Sequence, residues 1–339
     1  MERAGTGEVS LRLDLHRLEA CWWMLRPPGF YVKSSIAVAG WLVAPGHPGY
    51  ARMIAIVVAL GLSGGVVNVI NDVLDREKDK VTAPELPLPS GMVTLPWAAG
   101  LLAVLAAGVL VCVGLASISV ERFALGLVPL LGAGVVVGAY SLLKPVWFGP
   151  PLLAAMIYAL MPLDAWVVAG AGGGQIAYVL GFAVCFGIAA NFLAALRDVA
   201  ADPGVGNRSI AVRFGVDRVL GAASLADLGA VVCAAALARA RGELGAAAVW
   251  ALLTALVVGA GYAWAWRRRG RTAAGRDAGL VSLRPANFAR WTSVVLVVGV
   301  LSVPVALVVA AAITLSFGLL IPAYRRRIMQ GQLRAAMAA

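Results

Sequence analysis

The sequence predicts an all-α, polytopic membrane protein, and three observations predict it. Hydrophobic residues make up 61% of the 339-residue chain and charged residues 13%, with a mean hydropathy of +0.88. Apolar runs long enough to cross a bilayer recur along its length, a crossing helix needing roughly 20 mainly apolar residues. These runs are continuous rather than alternating, and in lipid only helices or closed barrels satisfy every backbone group. The length leaves room for about eight to ten spans with short loops, and for no soluble domain.

Charge and reactive side chains narrow the class. The formal charge is +11, but Arg and Lys sit mainly between and beyond the apolar runs, which reads as topology signalling and contact with anionic lipid head groups. No basic stripe is interleaved with aromatics, which argues against nucleic acid as a partner. Cys21, Cys112, Cys185 and Cys233 lack metal-ligand spacing, and His16 and His47 lie far from the acidic clusters, so no thiol or imidazole metal site is expected. Residues 1–20 are too polar for a cleaved signal peptide.

Taken in order, residues 2–17 suit a short surface helix, although Leu11, Leu13, Leu15 and Leu18 give no clean stripe. In 21–33, Trp22, Trp23, Phe30 and Tyr31 are interfacial anchors, Arg26 and Lys33 meet head groups, and Pro27-Pro28 restricts helix geometry. The first span is expected over 34–43, ending in the turn at 44–49, and the second over 53–70. Gly61, Gly64 and Gly65 there admit a neighbour close to the backbone. Spans three and four fit 95–115 and 123–143. The fifth fits 152–168, with Asp164 near its far end. The glycines at 170–174 follow no strand, so a nucleotide-binding loop is unsupported. Spans six, seven and eight fit 176–196, 219–237 and 246–266, and a strongly basic loop from Arg267 follows. The last apolar stretch, 291–323, is long for one span and short for two; Pro304 either kinks it or breaks it into a hairpin.

Against this apolar background, six acidic residues fall in two islands: Asp72, Asp75, Glu77 and Asp79 after the second span, Asp198 and Asp202 after the sixth. Such groups at membrane depth are expensive unless paired or metal-bound. The bland reading is two solvated loops. The sharper one starts from spacing. Asp72, Asp75 and Asp79 follow at offsets of three and four, and Asp198 and Asp202 are four apart, so a continuing helix stacks each set on one side. Like charges so placed repel unless cations neutralise them, and Mg²⁺, which takes carboxylate and phosphate oxygens, is the natural candidate. Asn68 and Asn71 share a face beside the first island; Asn191 and Arg197 accompany the second. Tyr140 and Lys144 lie four apart at the end of the fourth span, where Lys144 suits either a diphosphate contact or a positive-inside anchor.

Counting spans puts both islands, Lys144 and the basic loop after span eight on one face. With a cytoplasmic N-terminus these are the positive loops, as charge bias expects. The expectation is therefore a multi-pass plasma-membrane protein whose site faces the cytoplasm. Arg325, Arg326, Arg327 and Arg334 agree with this only if the last stretch doubles back.

These residues resemble the UbiA-type family of intramembrane prenyltransferases. Asn71-Asp72-Val-Leu-Asp75-Arg-Glu-Lys-Asp79 looks like its first aspartate-rich motif, and Leu86-Pro-Leu-Pro-Ser-Gly91 like the segment trailing it. Asp198-Val-Ala-Ala-Asp202, with Gly206 and the Val212-Arg-Phe-Gly215 ending, looks like the second. Arg26-Pro27 and Tyr140 with Lys144 also sit where the family has similar residues. The resemblance covers most of the chain and implies about nine transmembrane helices around a central cavity, a domain over 21–324 between a cytoplasmic segment, 1–20, and a basic tail, 325–339. It further implies that Asp72, Asp75, Asp198 and Asp202, supported by Asp79, hold Mg²⁺, and that Asn68, Asn71, Tyr140, Lys144, Asn191 and Arg197 serve the isoprenyl diphosphate. The diphosphate then leaves and the allylic cation alkylates a lipophilic, aromatic acceptor.

Three departures qualify the branch. Leu86 stands where the family commonly has arginine, Ala195 where several members have a polar or acidic residue, and Ala211 where proline is common. These point to a specialised-metabolite branch, which includes members resembling terpene cyclases. An intramembrane cyclase is thus the alternative reading, and a non-catalytic scaffold or lipid-binding relative the third.

Overall fold

The computed structural model describes residues 3–143, 146–272 and 274–338, and among them every regular element is helical. In order these are α1 (Arg3–Met24), α2 (Pro27–Val43), α3 (Tyr50–Leu74), α4 (Arg76–Thr82), α5 (Leu95–Ala116), α6 (Val120–Leu143), α7 (Gly149–Val168) and α8 (Ile176–Asp198). There follow α9 (Ile210–Phe214), α10 (Val216–Ala240), α11 (Leu244–Arg267), α12 (Arg269–Thr272), α13 (Arg276–Leu301), α14 (Val303–Leu315), α15 (Ile321–Tyr324) and α16 (Gln332–Ala338). Among the described residues, eight helical stretches are long and apolar enough to cross a membrane, the last being the limb Val303–Met329. The shorter α2 and the 26-residue α13 run among them, so the about nine helices expected are present with one further crossing.

The extra crossing resolves the last apolar stretch. Helix α13 begins at Arg276, well before the expected Trp291, because Arg284 and Arg290 within it mask its apolar character. The helix stops at Ser302, which is extended (φ −163°, ψ 107°), and α14 opens with Pro304 in its first turn, the position where proline lacks nothing. The two limbs then pack antiparallel: Arg284 donates to the Phe317 carbonyl at 2.5 Å, and the Phe288 and Phe317 rings meet at 5.3 Å. The chain doubles back, and its basic end returns to the face of the acidic islands, as the charge bias requires.

Contacts fix both ends of the bundle. At the far end a Cβ on Gly172 would touch Pro45 at 3.1 Å, Arg241 donates to Gln175 at 3.3 Å, and Arg122 donates to the Val167 carbonyl at 3.4 Å. Asp164 is fully buried near that end, away from the islands, as its position in the fifth span implied. At the island end, α1 runs unbroken past its expected limit and packs with the loop after α4 and with the C-terminal limb. Ala20, Trp23, Met24, Leu86, Leu88, Met92, Ile328 and Leu333 form one apolar cluster there. Leu86, where a cation was missing, is 3% exposed and part of this core.

Between the ends, small residues let helices touch backbone to backbone. A Cβ on Gly40 of α2 would lie 2.0 Å from the Pro162 carbonyl oxygen of α7. One polar layer crosses the interior. Tyr262 of α11 donates to Asp227 of α10 at 2.6 Å, and Arg290 of α13 donates to Asn287 at 3.3 Å. The Arg290 guanidinium lies over the Phe186 ring at 4.4 Å.

Candidate active site

The site begins at the turn joining α1 to α2. Helix α1 ends at Met24, and Arg26 takes the left-handed conformation (φ 52°, ψ 61°) immediately before Pro27. That conformation is costly for a residue with a Cβ, about 1 kcal/mol or more, and is common just past a helix end. Two neighbours hold it. The Arg26 N–H donates to the Trp23 carbonyl at 3.1 Å, and the Asn68 side chain of α3 donates to the Leu25 carbonyl at 2.9 Å. The outcome is that the Arg26 guanidinium forms an ion pair with Asp72. Asp72 is 2% exposed, so this is a buried carboxylate with a cation built for it.

The first island stays nearly helical, as its spacing suggested. Helix α3 breaks at Asp75 (φ −88°, ψ 0°) and α4 restarts at Arg76, but the Asp75 N–H still bonds the Asn71 carbonyl and the Asp79 N–H the Asp75 carbonyl, both at 2.8 Å. Asn71, Asp75 and Asp79 are half-buried. Glu77 points outward and is held by Lys80 at 2.7 Å; that hydrogen bond keeps its carboxyl below the usual 4.5, leaving it outside the cluster.

The second island does not continue as α-helix. Helix α8 ends at Asp198, and Asp202 opens a short 3₁₀ turn that closes at Gly206 (φ 73°). Arg197 lies along Asp198, Nε to Oδ1 at 2.9 Å. The Asn207 side chain donates to Asp202 at 3.0 Å, and its N–H to the Asp202 carbonyl at 3.0 Å. Asn207 was not marked by the sequence reading, although an amide five residues past an aspartate in a Pro-Gly turn is a recognisable clamp. Gly279 at the start of α13 sits against this turn: a Cβ there would be 3.0 Å from the Arg197 carbonyl oxygen.

The bundle brings the two islands together. Arg26 lies within electrostatic reach of Asp72, Asp79 and Arg197. Tyr140 feels Asp75, Arg197 and Asp198 and accepts from Asn191, itself 8% exposed, at 3.4 Å. Lys144 lies outside the described residues. Of the expected site, then, Asp72, Asp75, Asp79, Asp198, Arg197, Tyr140 and Asn191 share one mouth. Asp202 is bonded by Asn207 in the turn after α8, and the Asn68 amide is taken by the turn that aims Arg26.

The donor set suits a hard cation. It is all oxygen, without thiol or imidazole, and Mg²⁺ is bound through one or two carboxylates with phosphate oxygens and water completing its shell. Among the described residues no three carboxylate, thiol or imidazole groups converge enough to hold an ion alone.

The model of the UbiA prenyltransferase family matches residues 34–283. The chain is 27% identical over 214 residues to a digeranylgeranylglyceryl phosphate synthase of Natronomonas pharaonis, 61% of this chain and 73% of that protein. It is 40% identical over 77 residues to a protein of the same name from Thermococcus onnurineus, and that stretch spans only 27% of the relative and 22% of this chain. Among solved structures, a UbiA homolog from Archaeoglobus fulgidus bound to GPP and Mg²⁺ superposes with a TM-score of 0.60 at 16% identity, over 84% of this chain and 99% of that one. The apo UbiA homolog from Aeropyrum pernix gives 0.59 at 20% identity, over 78% and 97%. At such identities the structures speak for the fold.

Proposed function

We propose a function from one premise: the chain belongs to the UbiA prenyltransferase family. On it, the protein is a Mg²⁺-dependent intramembrane transferase that moves an isoprenyl group from its diphosphate to a lipophilic acceptor. The observation that carries this reading is the convergence of Arg26–Asp72 and Arg197–Asp198 at one end of an apolar bundle.

Asp72, Asp75 and Asp79 on one side, and Asp198 and Asp202 on the other, would hold Mg²⁺, whose charge when bound stabilises the departing diphosphate. Arg26 and Arg197 already neutralise one carboxylate each. An arriving diphosphate with its cations therefore exchanges one set of ion pairs for another, and both guanidiniums become available to phosphate oxygens, which they match as planar forks. Tyr140, oriented by Asn191, and Lys144 and Asn71 by resemblance, complete the polar rim. By resemblance, an apolar cavity below the rim would take the isoprenoid tail and keep water from the allylic cation.

For the acceptor we favour an electron-rich aromatic ring, in keeping with the departures at Leu86, Ala195 and Ala211. A prenylated glyceryl phosphate is the second reading, favoured by the name that both relatives carry. Membranes containing the protein should be given Mg²⁺ and geranyl, farnesyl or geranylgeranyl diphosphate, each with an aromatic acceptor pool, with a prenylglyceryl phosphate, or alone. Mass spectrometry of the organic phase should reveal an adduct of acceptor plus prenyl group, abolished by EDTA and by Asp72→Asn. A cyclic hydrocarbon or terpene alcohol made from diphosphate alone would replace transfer by cyclisation.

A further inference from the structure

The family model stops at residue 283, and the second limb of the C-terminal hairpin lies entirely beyond it. That limb packs back against α1, beside the turn that bears Arg26. Tyr324 sits against Trp23, with ring centroids 5.8 Å apart, and Trp23 is the residue whose carbonyl caps Arg26. One helical step further, Arg327 grips Glu19 of α1 through two hydrogen bonds, one of 2.6 Å. Ile328 and Leu333 are fully buried in the cluster that packs α1 against the loop after the first island.

The backbone is deformed where this happens. Two π-helical turns, Ser316–Leu320 and Arg325–Met329, flank the single α-turn Ile321–Tyr324. Such wide turns are uncommon and re-aim side chains, frequently at functional sites. Here they place a phenol beside the turn that bears Arg26. Tyr324, packed on Trp23 beside the Arg26 turn, lies within electrostatic reach of both Arg26 and Arg197. A limb needed only to return the basic tail to its proper face would require neither the double deformation nor a polar tip at that point.

We propose that Tyr324 is a catalytic residue supplied by this returning limb, donating its phenolic O–H to a diphosphate oxygen held between Arg26 and Arg197. In the reaction the allylic C–O bond breaks heterolytically and its electron pair stays on the diphosphate oxygen. Tyr324 keeps its proton and stabilises the growing negative charge by hydrogen bonding. The limb thereby makes the C-terminal tail part of the site, because the Glu19–Arg327 pair fixes where Tyr324 stands. This inference rests on the diphosphate reading above.

The test is calorimetric titration of the full-length, detergent-purified protein with geranyl diphosphate in the presence of Mg²⁺, and separately with inorganic diphosphate. Tyr324→Phe keeps the ring against Trp23 and removes only the hydroxyl. It should weaken binding of both ligands by about tenfold, the loss expected for one hydrogen bond to a charged group, with an unchanged thermal midpoint. Arg327→Gln frees the limb without touching the phenol and should weaken binding in the same direction, with no further loss in the double variant. Binding by Tyr324→Phe within twofold of wild type, whatever Arg327→Gln does, overturns the role of Tyr324 and leaves the diphosphate site standing. Failure of the wild-type protein itself to bind geranyl diphosphate overturns both readings together.

Discussion

Replacing Arg26 by methionine should destabilise the protein far more than replacing Asp72 by asparagine, although the two changes break one ion pair. The asymmetry follows from exposure: the Asp72 side chain is 3% exposed and that of Arg26 37%. Arg26→Met leaves a buried carboxylate without its cation, a loss of about 3–5 kcal/mol when a pair is fully buried. With the Arg26 side chain only partly buried, about 3 kcal/mol is the working figure. Asp72→Asn instead leaves a cation that water can reach, and an amide that still accepts from it, at a cost of about 1 kcal/mol. The double variant should resemble Asp72→Asn, giving a coupling of about 3 kcal/mol between the positions. Equilibrium unfolding in mixed micelles, without Mg²⁺ so that the native state is compared alone, measures all four corners of the cycle. Additive effects, or equal effects of the two single changes, would refute the idea that Arg26 is the counter-ion of Asp72.

Three further outcomes are expected. Gly40→Ala should lower stability by about 1–3 kcal/mol or prevent assembly, as overpacking does, because its Cβ would lie 2.0 Å from the backbone oxygen of Pro162, an atom that cannot swing aside; thermal unfolding with Ala39→Gly as the neighbouring control checks it. The hydrogen bond from Arg327 holds Glu19 below its usual 4.5, so the tether contributes fully above that value and is lost as pH falls through the lowered one; limited proteolysis should release the tail in acid, earlier for Arg327→Gln. Leu86→Ala should cost about 2–5 kcal/mol in unfolding measurements, the penalty of a buried leucine truncation, since Leu86 is 3% exposed in the cluster beneath α1.

Much of this was legible in the sequence, for identifiable reasons. Hydropathy located most spans because lipid allows no alternative to a continuous apolar helix. It failed at α13, where Arg284 and Arg290 find partners on other elements that no local window sees. The aspartate spacing foretold the nearly helical course of the first island but not the 3₁₀ turn of the second, and only the fold shows that Arg26 answers Asp72 across 46 residues. Asp202 and Asn207 could be read as a turn clamp, whereas Tyr324, more than a hundred residues from either island, carried no sequence signal. Its place depends on a hairpin that Pro304 only suggested.

The polar layer through Asp227, Tyr262 and Arg290 bears on how the protein is made. Helix α13 does not qualify as a membrane span on its own apolarity, and an arginine at the centre of an inserting helix costs about 2.5–3.5 kcal/mol. Arg290 finds its relief in the Phe186 carbonyl of α8 and the Asn287 amide, with Asp227 of α10 in electrostatic reach. Those earlier helices leave the ribosome first. Insertion of α13 is therefore templated by the bundle already in the bilayer, and the second limb of the hairpin locks on last. A chain stopped before residue 276 should sit stably in the membrane, whereas α13 alone should not.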